Sequence, residues 1–396
     1  MRISTSQIFS QSLKYMNSAL SDVSTLNMMN SSQKKINNPS DDPAGMGKVM
    51  DLTSYQDSLS GYVDNCDIAN NYLSLADQVL LVGSENITAA LELTEQASTE
   101  TYTTEQLQMM AEEMESYLDS LVSIANTQMG SDSIFAGNDL DSDAYEYGLG
   151  ITQLNDSLSN ASFAGFEGET DTSIEVQFTS DGEIGTDELD YQYSTDNGAT
   201  WITGTLAAGD TELDLGTCQV DMLSGTEVTA ADDDSGSQFV VREALYYVGS
   251  DTSMSVDISQ SSDVDMTTVG STLFGGIDSS TGEAYEGLNL FETISDCIVY
   301  MEQGDYDAVA ESLETLSSCQ EQYEAGISNV GARENKVTYT ESSLSLVQSI
   351  TTNSISLEED ADAAQILVEL EQANYVYEAV LSSSASIMEM SILSYL

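Results

Sequence analysis

The chain contains no histidine. That removes the commonest general base, proton shuttle and transition-metal ligand together. Basic residues are nearly as scarce: 8 Lys and Arg stand against 68 Asp and Glu, a formal net charge of -60 over 396 residues. A surface of that sign repels nucleic acid and anionic membrane, so neither is an expected partner. There are only two prolines, Pro39 and Pro43, which leaves the rest of the chain open to long helices. The four cysteines, Cys66, Cys218, Cys297 and Cys319, are scattered without a C-x-x-C pair. Their spacing supports neither a zinc site nor a disulfide framework, and isolated, inert thiols are expected. No apolar run reaches the roughly 18 residues needed to cross a bilayer, so no membrane insertion is expected. The residues after Arg2 also lack the apolar stretch of a cleaved signal peptide, so any export is expected by another route.

Catalytic signatures are missing as well. There is no P-loop, no dinucleotide fingerprint and no G-x-S-x-G. Asp139, Asp141 and Asp143 open like a calcium loop, but the sixth and twelfth positions are Ala144 and Gly150 where Gly and Glu are needed. Asp232, Asp233 and Asp234 form a second acidic cluster, of a kind that composition alone produces here. No catalytic, metal or cofactor-binding residue is predicted, and an enzyme is not expected.

What the chain does have is periodicity at both ends. Phe9, Leu13, Met16, Leu20 and Val23 alternate steps of four and three. Ile366, Leu370, Ala373, Tyr377, Val380 and Ile387 keep the same rhythm. Such spacing lines one helix face, so each end wants a partner helix, and these residues are the predicted self-assembly interface. The N-terminal stretch is rich in Ser and Asn, and its order is expected to come from packing on association. Between the stripes and the next helix, Pro39 and Pro43 break the chain, with Asp42 placed to cap and Asp41 near the helix dipole; the segment reads as a hinge.

Helical patterning resumes from Ala44, with stripes at Leu73, Ala76 and Leu80, then at Leu107, Met110, Met114, Tyr117, Leu121 and Ile124. The Thr-rich stretch 99–104 separates them. From about residue 139 the apolar period becomes two: Ile174, Val176, Phe178, then Leu189, Tyr191, Tyr193, then Asp196-Asn197-Gly198 as a hairpin turn before Thr200 and Ile202. Phe239, Val240 and Val241 suggest a further strand. Helices return through Leu313, Leu316, Tyr323 and Ile327, with Gly326 and Gly331 as weak points, then through Val337, Leu344, Val347 and Ile350. The last helix is expected to open at Leu357.

The fold class is therefore mainly α with an inserted β-rich domain. The expected divisions are 1–42 (N-terminal helix), 43–138 (first part of a helical rod), 139–285 (β-rich outer insertion), 286–356 (second part of the rod) and 357–396 (C-terminal helix). The outer and inner helix pairs are expected to be neighbours.

Several segments resemble the bacterial flagellin superfamily: Met1-Arg2-Ile3-Ser4-Thr5-Ser6, the run Lys35-Ile36-Asn37-Asn38-Pro39-Ser40-Asp41-Asp42-Pro43-Ala44-Gly45, Ala125-Asn126-Thr127-Gln128 with Phe135-Ala136-Gly137, and the ending Ser391-Ile392-Leu393-Ser394-Tyr395-Leu396. The likeness covers roughly the first 140 and last 110 residues and points to the hook-associated branch, the hook–filament junction proteins. It implies terminal helices forming a coiled coil, a helical rod and an outward β domain. It also implies an extracellular place in the flagellum, reached by type III export. The implied partners are copies of the chain, another hook-associated protein on the hook side, flagellin on the filament side and a cytoplasmic export chaperone. Members usually have few or no cysteines, whereas this chain has four.

Two other readings compete: a divergent flagellin forming the filament itself, and a secreted acidic calcium-binding adhesin. Copy number separates the first, and calorimetric titration with calcium the second.

Overall fold

The computed structural model describes residues 5–393, apart from 100, 156, 171, 232–235, 280 and 286. Among the described residues seven α-helices are present: α1 (Thr5–Ser32), α2 (Pro43–Ala97), α3 (Thr104–Ala125), α4 (Ser271–Phe274), α5 (Leu290–Gln303), α6 (Tyr306–Glu359) and α7 (Ala363–Leu393). All the strands described lie between α3 and α5. This is the mainly helical fold with a β-rich insertion read from the sequence. The chain divides into two compact units, residues 1–64 with 340–396, and residues 65–339.

In the first unit α1 packs along α7. Ser12 and Ser384 share a hydrogen bond and Lys34 bridges Asp360, so the two helices run antiparallel. The start of α2 and the end of α6 also run antiparallel, with Gln56 Nε2 donating to Thr352 Oγ1 at 3.1 Å. The outer and inner pairs are neighbours, as the order of patterns led one to expect. Ala19, Ile366 and Leu370 give the α1–α7 pair a buried seam.

The second unit is built on a heptad seam. Cys66, Ala69, Leu73, Ala76, Leu80, Ile87, Ala90, Thr94 and Ala97 of α2 are all buried, at alternating steps of three and four apart from the place of Gly83. Gly83 sits in that rhythm because Tyr323 of α6 lies over it: a Cβ there would come within 2.0 Å of Tyr323 Oη. Of the predicted α3 stripe, Leu107, Met114, Leu121 and Ile124 are buried, and Met110 and Tyr117 are half-buried. Gly326 does not weaken α6, which runs unbroken; its missing side chain makes room for Leu273, whose Cδ2 lies 2.1 Å from where a Cβ would be.

Among the described residues the insertion holds a six-stranded sheet, a three-stranded sheet and two two-stranded ribbons. The larger centres on Gln238–Tyr247, which pairs antiparallel with Tyr145–Gln153 on one side. On its other side it pairs with Ile174–Phe178 and, in parallel, with Ile277–Asp278. Leu189–Ser194 and then Ile202–Leu206 complete the order outward. The predicted hairpin turn is present, with Asn197 at φ 51° and Gly198 at φ 78°. A smaller sheet joins Phe163–Gly168, Cys218–Met222 and Glu212–Asp214. Ile174, Val176, Phe178, Leu189, Val220 and Phe239 belong to the shared core.

Arg242 ties helix to sheet. It is buried in the central strand and donates to Glu292 Oε2 at 3.0 Å and Asp296 Oδ1 at 2.8 Å, one turn apart on α5. Its Nε donates to Thr152 Oγ1 at 2.7 Å. Burial opposes the guanidinium charge, but the two carboxylates outweigh it and hold the group above its ordinary pKa. All four cysteines are buried thiols. Burial pushes Cys297 up to about 12, which makes it a poor nucleophile.

Candidate assembly surface

The C-terminal stripe is the inward face of α7. Ile366 and Leu370 are buried, and Ala373, Tyr377 and Val380 are half-buried along the same line, against α1. The side chain of Ile387 lies outside the described residues. The N-terminal stripe divides. Met16 and Val23 are half-buried and share a face with Ser12, Ala19 and Leu26. Phe9, Leu13 and Leu20 are exposed. The four-three rhythm at the N-terminus thus mixes the two sides of α1, because the small residues Ser12 and Ala19 hold the inward positions that a search for large apolar residues passes over.

The exposed apolar set is wider than the sequence stripes. On α7, Leu367, Val368 and Tyr375 face outward, Tyr375 at 74%. On α6, Leu346, Ile350 and Leu357 are 63%, 56% and 79% exposed, at steps of four and seven that put them on one face. Ile350 therefore does not continue the buried seam of Val337 and Leu344. The signal that finds this face is charge: residues 342–357 contain no charged side chain, in a chain where about one residue in six is acidic. α1 is similar, with Lys14 and Asp22 as its only charged residues. A groove of about 630 Å³ runs between α1 and α7, floored by Ser12, Ala19, Val380 and Ser384.

Pro39 and Pro43 lie in the elbow between α1 and α2, and that elbow is pinned. Pro43 is the first residue of α2, and Asp42 Oδ1 accepts from the Ala44 amide at 3.1 Å, the cap expected of it. Asp41 turns the other way and accepts from the amides of Asn37 at 3.1 Å and Asn38 at 2.8 Å. Ile36 is buried against Gly45, where a Cβ would stand 2.7 Å from Ile36 Cδ1.

A second break lies alongside. α6 ends at Glu359 and α7 begins at Ala363, so Leu357 closes one helix and does not open the next. Asp362 caps α7 through the amides of Ala364 and Gln365. Between the breaks, the Lys35 amide donates to Glu359 O at 2.8 Å and the Ala361 amide to Gln33 O at 3.0 Å. Lys34 Nζ meets Glu359 at 2.7 Å, Lys48 Nζ meets Glu358 at 3.2 Å, and Lys35 Nζ donates to Leu357 O at 2.9 Å. The N-terminal lysines serve as staples for this clasp.

The second unit offers a polar cavity of about 470 Å³ between α3, α5 and the central strand, lined by Glu112, Glu115, Asp119, Glu243 and Glu302 among others. Among the described residues no group of three His, Cys, Asp or Glu could hold a metal ion, and no helix is long and apolar enough to cross a membrane.

Residues 3–139 match the family model of the bacterial flagellin N-terminal helical region. The match takes in the elbow and the Asn126 corner, where the Asn126 side chain clamps the backbone of Tyr145 from both sides, at 2.9 and 2.8 Å. The solved structures similar to this chain include one from Vibrio parahaemolyticus assigned to the flagellar hook-associated proteins, 13% identical, covering 81% of this chain and 99% of the other, with a TM-score of 0.49. FlgL of Bacillus cereus is 15% identical, with 77% and 99% covered and a TM-score of 0.42. Flagellar hook associated protein-3 of Legionella pneumophila is 12% identical, with 77% and 97% covered and a TM-score of 0.40. No curated protein matches the chain in sequence.

Proposed function

We propose that this chain is an extracellular structural subunit of the bacterial flagellum that joins hook to filament. The observation that carries the reading is the exposed apolar side chains of the first unit, above all Leu346, Ile350 and Leu357 along α6, and Phe9, Leu13 and Leu20 along α1. Phe9, Leu13 and Leu20 fall within residues 3–139, which match the flagellin N-terminal helical region. Rows of exposed apolar side chains along a helix signal a partner. In a chain of net charge -60 they are also the places where copies can meet without carboxylate repelling carboxylate.

Copies pack side by side through heterologous contacts, which generate a helical tube. The partners at the two ends of the tube differ, another hook-associated protein toward the hook and flagellin toward the filament. The exported chain reaches that position through the type III apparatus, with a chaperone covering the C-terminal helix beforehand. The role is assembly, without catalysis or cofactor.

Deletion of the gene tests this. Hooks without filaments are expected by electron microscopy, with flagellin shed into the medium. Normal filaments would overturn the reading, and bare hooks without shed flagellin would make the chain the filament protein itself. Leu346→Glu with Leu357→Glu is expected to leave the helical circular dichroism intact and to abolish filament attachment.

A further inference from the structure

The β insertion has one edge unlike its others. Ile202–Leu206 ends the larger sheet, bonded on one side only, to Leu189–Ser194. Among the described residues no backbone group of this strand bonds outside that ladder. Ile202 is 51% exposed, and Thr203 and Thr205 are also exposed. From Asn197 to Gly209 there is no charged residue. The other edges do carry charge: Glu146 in Tyr145–Gln153, Glu167 in Phe163–Gly168, and both ends of Glu212–Asp214. Charged side chains on an edge are a usual guard against strand addition. Here the one edge that is β-branched, exposed and regular has lost that guard, in a chain with 68 carboxylates to spare.

We propose that this edge pairs with the same edge of a second copy, antiparallel about a two-fold axis. A basic partner would be drawn to the carboxylates elsewhere and would have no use for an uncharged strip. A partner that is itself strongly acidic needs such a strip, and a second copy is that partner. An antiparallel strand is also its own complement: with the axis at Gly204, Thr203 stands opposite Thr205 and Ile202 opposite Leu206. A two-fold contact closes on itself and cannot propagate a polar tube. It therefore belongs to the unassembled chain, and it does not rest on the flagellar reading.

The chain's one tryptophan, Trp201, adjoins this edge and supplies the probe. Sedimentation velocity of the full chain over a concentration series is expected to show a dimer, with Trp201 emission shifting over the same range. Added salt should tighten it. Thr203→Glu with Thr205→Glu sets carboxylates opposite each other and should weaken the dimer by about tenfold or more. Thr203→Val with Thr205→Val should preserve it and guards against misfolding of the first variant. A chain that stays monomeric overturns the proposal. So does a dimer that leaves Trp201 emission unchanged and tolerates the Glu pair, which would place the contact on the terminal helices instead.

Discussion

At the scale of single residues, one buried and one half-buried group expose the balance of the second unit. Tyr323 is fully buried, its hydroxyl has no hydrogen-bond partner, and burial raises its pKa. Gly83 leaves it just enough room. Gly83→Ala should cost about 1–3 kcal/mol, read by urea denaturation, because the new methyl would overlap Tyr323 Oη. Tyr323→Phe should be neutral or stabilising, since no bond is lost, and it should partly rescue Gly83→Ala. An alanine variant as stable as the parent would show that the helices separate easily there. Glu302 is the second case. Burial raises its pKa, a Ser173 hydrogen bond opposes this, and nearby Glu115 adds to the rise. A carboxyl raised in the folded state takes protons more readily folded than unfolded. Stability is then greatest below the ordinary carboxylate range and falls as pH rises through the raised value. Glu302→Gln should therefore raise Tm at pH 7, with the gain fading as pH falls toward about 4. A gain that persists in acid would assign the effect to packing.

At the scale of elements, the breaks hold as much of the architecture as the helices do. Asp42→Ala removes the cap of α2 and should cost about 1 kcal/mol, seen as a lower urea midpoint with unchanged slope. If the midpoint stays put, the clasp of Lys34, Lys35 and Lys48 across residues 357–361 holds the elbow without it. This region also shows what was legible in the residues. The Pro39–Pro43 break and its Asp42 cap were readable because proline and capping chemistry act within a few residues. The Asn-Gly turn at residue 197 was readable for the same reason. The second break, at 360–362, was not: Asp360 and Asp362 look like two more acids in an acidic chain, and only the pairing of Asp360 with Lys34 and the cap that Asp362 gives α7 distinguish them. The described α7 stripe lies along the face toward α1, whereas the α1 stripe divides, with Ser12 and Ala19 packed inward while Phe9 and Leu20 remain outside. Hydrophobicity locates a helix; which face it buries depends on how closely the partner comes, and small residues decide that.

At the scale of the molecule, charge is distributed by unit. Residues 1–64 with 340–396 hold 15 acidic and 5 basic residues, a net -10; residues 65–339 hold 53 acidic and 3 basic, a net -50. Those three cations do not relieve the surface. Arg242 is spent on α5, Arg333 donates to Asp265 O and Thr267 O, and Lys336 to Asp263 O. The second unit therefore carries repulsion that only solvent ions can screen. Raising sodium chloride from low to molar concentration should raise Tm by on the order of 5 °C or more, followed by circular dichroism at 222 nm. Sodium perchlorate at equal ionic strength separates causes. Perchlorate screens charge as chloride does but does not strengthen apolar burial, so screening predicts nearly equal gains in the two salts. A gain with chloride alone would mean that the core, and not the carboxylates, responds to salt. A chain whose Tm is flat in both would have to balance its 50 uncompensated charges internally, and the three cations, committed as they are, leave nothing among the described residues to do so.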